Sequence, residues 1–127
     1  MSYYIGRMVD LSFSEAIEKV TEELKKEGFG VITEIDVKEI LKNKLDLDFR
    51  PYVILGACNP HYAHQALSLD DKIGALLPCN VIVQQTEEGT EVFAMNPQET
   101  MSKLLGEEIE DIAKAISEKI QNVLDRL

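Results

Sequence analysis

Residues 52–79 read YVILGACNPHYAHQALSLDDKIGALLPC. The opening run, Tyr52-Val53-Ile54-Leu55-Gly56-Ala57, shows no polar alternation, which is the pattern of a central strand buried on both faces. That strand ends at Cys58. Asn59 then suits a helix N-cap, because its side-chain oxygen can accept an unpaired backbone amide. Pro60 suits the first helical position, where no amide is needed. Tyr62, Ala63, Ala66 and Leu67 give the helix an apolar side. Ser68-Leu69-Asp70-Asp71 restarts a helical turn, and Leu76-Leu77-Pro78 leads into Cys79 and another strand. This stretch holds both cysteines, both histidines and two of the four prolines of the chain.

Upstream, Tyr3 to Val9 alternates as a strand does. Ser12-Phe13-Ser14-Glu15 has the spacing of a capping box, with Ala16, Ile17, Val20 and Leu24 following on one helical face. Gly28 can adopt the left-handed conformation that closes this helix. Phe29 to Ile35 reads as a second strand, and Asp36 to Glu39 opens a short helix carrying Ile40, Leu41 and Leu45. Downstream, Asn80 to Thr86 and Thr90 to Ala94 form a hairpin about Glu87-Glu88-Gly89. Asn96-Pro97 repeats the Asn59-Pro60 junction, again with a strand running into a capped helix. From Ile109 to Leu127 the apolar residues keep helical spacing, and acids crowd the first turn, where they suit the helix dipole. The pattern is that of an α+β fold: one domain over residues 1–127, with a mostly antiparallel five-stranded sheet covered by helices.

With 127 residues, 45% hydrophobic and 28% charged, the chain can bury a core without disulfides or metal. No apolar run is long enough to cross a bilayer, and no secretion signal opens the chain. A cytoplasmic protein with reduced cysteines is expected. The formal net charge of −10 argues against a nucleic-acid partner, whose phosphates require clustered Lys and Arg.

The block from Cys58 to Val83 resembles the domain-of-unknown-function family 302. The residues that carry the likeness are Ala57-Cys58-Asn59-Pro60, Ala63, Ala66-Leu67, Leu76-Leu77-Pro78-Cys79, and Val81 with Val83. Ala94-Met95-Asn96-Pro97 is similar to the family's second junction. The resemblance implies a two-layer α+β domain of order β-α-β-β-β-β-α, here with extra short helices, and a homodimer. It implies no substrate, cofactor or reaction.

The candidate site lies at the two cysteines. Cys58 precedes a helix N-terminus, where unpaired amides and the dipole favour a thiolate. If the strands ending at Cys58 and beginning at Cys79 are antiparallel, both sulfurs fall on one edge of the sheet. Cys58 is then a candidate reactive thiol with Cys79 as resolving partner. Alternatively Cys58, His61, His64 and Cys79 hold a transition metal, since Cys and His suit zinc. A third reading is an anion or small-ligand pocket formed by the amides after Asn59, at Cys58, Asn59 and Cys79 and beside Tyr62 and Glu34. Against all three stands a structural role, with the cysteines packed as small hydrophobes and Asn-Pro serving only as a cap. A homodimeric interaction module follows from that last reading. No triad, phosphate loop or catalytic carboxylate pair is evident, so the sequence assigns no reaction.

Overall fold

A computed structural model describes residues 2–127, apart from the side chain of Leu104. The chain runs β1 (Tyr4–Val9), α1 (Phe13–Lys26), β2 (Gly30–Asp36), α2 (Val37–Leu45), β3 (Tyr52–Cys58) and α3 (Pro60–Leu69). A 3-10 turn at Asp71–Leu76 leads to β4 (Cys79–Thr86) and β5 (Gly89–Met95). Then follow α4 (Pro97–Leu105), a short 3-10 turn at Glu107–Ile109, and α5 (Glu110–Asp125). The strands form one sheet in the order β1-β5-β4-β3-β2, and every neighbouring pair is antiparallel. This is the α+β architecture expected from the sequence.

Local chemistry explains the element ends. Ser12 and Glu15 complete the capping box of α1: the Ser12 hydroxyl accepts the Glu15 amide, and the Glu15 carboxylate accepts the Ser12 amide. The C-terminal end of α1 is fastened to that of α5 by charge. Glu23 is 2% exposed, receives Lys26 at 2.7 Å, and accepts a hydrogen bond from Arg126. Arg126 also reaches Glu27 at 3.2 Å, and Asn122 donates to Glu27 at 3.3 Å.

Helices α1 and α5 cover one face of the sheet. Strand side chains alternate accordingly: Val53, Leu55 and Ala57 of β3 face this core with Val81, Val83 and Cys79 of β4. Ala16, Val20 and Leu24 of α1 and Ile116, Ile120 and Leu124 of α5 meet them. Burying the valine, leucine and isoleucine side chains among these stabilises a fold by about 1.5–3 kcal/mol each.

The opposite face differs from the sequence-based expectation. Tyr52-Val53-Ile54-Leu55-Gly56-Ala57 is apolar throughout, yet Tyr52 and Ile54 are only half-buried, because helices lie on one side of the sheet. Phe93, Ile82, Ile54 and Ile35 are successive cross-strand partners and make an apolar row over this open face. Gly6 faces Phe93 at the end of the row, where a side chain would collide with the Phe93 Cβ.

Candidate functional site

The Asn59-Pro60 junction holds α3 by one end. Asn59 Oδ1 accepts the Tyr62 amide at 3.5 Å, and Nδ2 donates to the Glu27 carbonyl at 3.3 Å. The second bond joins the start of α3 to the end of α1. It also explains Gly28, whose φ of +87° suits glycine and whose added Cβ would lie 3.0 Å from Asn59 Nδ2.

Beneath α3 the core is incomplete, and the cause is residue size. The helix presents Ala63 and Ala66 to the space below it, while Ala57 of β3 and Gly74 of the following turn border the same space. Four small residues leave a pocket of about 330 Å³. Its deep lining includes Met101 of α4, Ile116 of α5 and Cys79, all buried. At its mouth stand Ile32 of β2, 62% exposed, and Leu67 of α3, 41% exposed. Ile32 occupies the register shift between Val31 and Thr33, where β2 carries one residue more than β3 opposes.

Both cysteines line this pocket and both are free thiols. The antiparallel register sets Ala57 opposite Cys79, so Cys58 and Cys79 arrive at the same sheet edge. Their environments are unequal. Burial pushes the Cys79 thiol up to about 11, and the neighbouring Cys58 adds to the rise. Cys79 therefore stays a neutral, protonated wall group at physiological pH. Cys58 is the more exposed thiol.

Of the remaining expected site residues, Asn59 and Tyr62 line the pocket, whereas Glu34, His61 and His64 do not. Glu34 pairs with Leu55 on the edge strand and is exposed. The four-residue metal set of Cys58, His61, His64 and Cys79 is not assembled. Among the described residues no three His, Cys, Asp or Glu side chains gather at a metal-binding position. The reason is helical geometry: His61 and His64 lie on the exposed side of α3, where His61 contacts Gln65 at 3.1 Å, while Ala63 and Ala66 take the inward side. Sequence reading missed Ile32, Leu67, Met101 and Ile116. The clue it passed over is the run of small residues at inward positions, which marks space as well as helix packing.

An α+β domain with a one-sided antiparallel sheet and an apolar pocket under an Asn-Pro-capped helix is thus the class of protein defined by these features. The chain belongs to the family described as Domain of unknown function DUF302, whose model matches residues 5–127. It is similar to a solved structure of an uncharacterized conserved DUF302 protein from Bacillus stearothermophilus. The two are 33% identical, with a TM-score of 0.93 and coverage of 99% of this chain and 98% of that one. No curated protein matches the chain. Among the described residues, no helix is long and apolar enough to cross a membrane.

Proposed function

We propose that this domain binds a small molecule in the pocket beneath α3, with the Cys58 thiol as a contact group. The observation that carries this reading is the convergence of both cysteines on one apolar cavity that reaches the surface between Ile32 and Leu67. A cavity of this size lies at the small end of the range that holds ligands. Cys58 is the thiol a reagent or ligand meets; Cys79, buried and protonated, contributes surface and no nucleophile.

The test is alkylation of the folded protein by iodoacetamide, following each cysteine by peptide mass, with Cys79→Ser as companion. Cys58 is expected to react at least about tenfold faster than Cys79 near neutral pH, and Cys79 to react freely only after unfolding. A Cys58 that also waits for unfolding would remove the thiol from the proposed site.

A second reading, a homodimer, is favoured by a different observation: the open sheet face. Tyr4 and Met8 are exposed there beside the Phe93-Ile82-Ile54-Ile35 row, whose terminal Ile35 is exposed as well. Helix α2 has no buried residue and exposes Ile40 and Leu45, with Leu47 just beyond it. Five strands at about 4.8 Å spacing and about 20 Å length offer roughly 480 Å² of flat face. A nine-residue α2, about 14 Å by 10 Å, adds roughly 140 Å², and the total of about 620 Å² per partner fits a weak, concentration-dependent pair rather than the roughly 800 Å² of a standard interface. The second copy would meet this face with its own. Sedimentation equilibrium at micromolar concentration is expected to give a dimer, and Ile35→Lys a monomer. A monomeric parent protein across that range would discard this reading.

A further inference from the structure

We infer that the pocket is built for an uncharged, apolar molecule, admitted past Ile32, which the β2 bulge aims over the mouth. The inference rests on the pocket reading above and specifies its ligand and its entrance.

The ligand class follows from what the walls offer. No charged side chain lines the pocket among the described residues. Asn59 has both ends of its amide engaged, Nδ2 with the Glu27 carbonyl and Oδ1 with the Tyr62 amide, which leaves the neutral Tyr62 phenol as the strongest polar side-chain group in the lining. The thiols of Cys58 and Cys79 are weak hydrogen-bond partners and soft, polarisable surfaces. An ionised ligand would therefore give up hydration for no opposite charge and at most one neutral hydroxyl, at a cost that selects against it. Size narrows the class further. An apolar cavity of about 150 Å³ holds a benzene ring. This pocket of about 330 Å³ is roughly twice that, enough for two fused rings or a short hydrocarbon chain.

The entrance follows from strand geometry. An unbroken β2 would alternate its side chains between the two sheet faces. The extra residue between Val31 and Thr33 breaks that alternation and brings Ile32 to the pocket rim across from Leu67. Bulges commonly re-aim one side chain beside a binding site. A large apolar residue left mostly in water on an edge strand gains little for the fold, and its size controls what passes.

The test titrates the protein with indole and with indole-3-carboxylate, its ionised counterpart, following the amide signals of Cys58, Ala63 and Leu67 by NMR. Indole is expected to bind at least about tenfold more tightly than the carboxylate. Ile32→Trp, an exposed substitution that keeps the spectrum folded, is expected to weaken indole by about tenfold, and Ile32→Ala to speed its exchange. Equal binding of both probes would overturn the ligand class while leaving the pocket reading intact. Unchanged indole affinity and exchange in both Ile32 variants would overturn the entrance. If neither probe moves the pocket amides, even in Ile32→Ala, the pocket reading falls and this inference with it.

Discussion

The Asn59-Pro60 and Asn96-Pro97 junctions begin alike and end differently. In each, a strand feeds an Asn cap, and the Asn Nδ2 donates at 3.3 Å to a backbone carbonyl just ahead of the neighbouring strand, Glu27 before β2 and Ser2 before β1. At α4 the cap is then sealed. Asn96 is 4% exposed, and its Oδ1 accepts both the Gln98 amide at 3.3 Å and the Ser117 hydroxyl of α5 at 3.1 Å. Met101 fills the space below α4. At α3 no such hydroxyl among the described residues meets the half-buried Asn59, Ala66 is the one buried residue of the helix, and alanines face the gap. The same Asn-Pro capping motif thus yields a closed joint in one place and a pocket in the other. The inward side chains differ in size, Met101 on α4 against Ala63 and Ala66 on α3.

Truncating a large side chain on each helix should give the widest separation. Met101→Ala is expected to cost about 3 kcal/mol, because Met101 is fully buried and its loss enlarges the cavity it borders. Tyr62→Ala, on the half-buried pocket wall, should cost about 1 kcal/mol. Urea unfolding measures both, and equal losses would show that α3 is packed as firmly as α4. The caps come next. Asn96→Ala should cost about 2 kcal/mol, since it removes a cap and leaves the buried Ser117 hydroxyl, which still accepts the Gln98 amide, without an acceptor for its proton, against about 1 kcal/mol for Asn59→Ala. A larger loss at Asn59 would reverse the contrast between the joints.

Much of this was legible in the sequence because it is local. Ser12 with Glu15, the two Asn-Pro pairs and the apolar spacing of α1 and α5 announce themselves within a few residues. The arrival of Cys58 and Cys79 at one edge follows from antiparallel pairing of two consecutive strands. The rest depends on partners distant in the chain. Ile54 and Tyr52 look like core residues, yet nothing local states that all of α1 and α5 would settle on the other face. His61 and His64 share a three-residue spacing with Cys58, but the inward side of α3 is set by what lies beneath it, and the alanines take that side. The pocket mouth depends on a register shift in β2, which composition does not mark.

Filling the gap should make α3 resemble α4. Ala63→Leu places a larger side chain into the pocket, and cavity-filling changes of this kind raise stability by about 0.5–2 kcal/mol where the space is real. An increase of about 1 kcal/mol in urea unfolding, together with loss of indole-induced shifts at Cys58, is the expected result. Destabilisation by a similar amount would mean the space is smaller than the lining residues suggest, since overpacking strains a filled core.

The smallest effect concerns the end of α1, to which the α3 cap is bonded and the α4 cap is not. The Glu27 carbonyl that receives Asn59 belongs to the end of α1, which Glu23 and Glu27 fasten to Arg126 of α5. The hydrogen bond from Lys26, and then that from Arg126, hold the Glu23 carboxyl at about 2, well below its usual 4.5. A carboxyl depressed in the folded state stabilises the fold fully above its unfolded value and loses that contribution as pH falls toward the folded one. The link between α1 and α5 should therefore hold at neutral pH and weaken between about pH 4.5 and 2. Glu23→Gln is expected to lower stability at pH 7 and to flatten the acid limb of the stability curve over that window. Amide hydrogen exchange should locate the change: at pH 7 the variant should exchange faster in α3 than the parent does, with α4 little altered. Equal acceleration in both helices would show that the charge cluster supports the whole helical layer rather than the open joint.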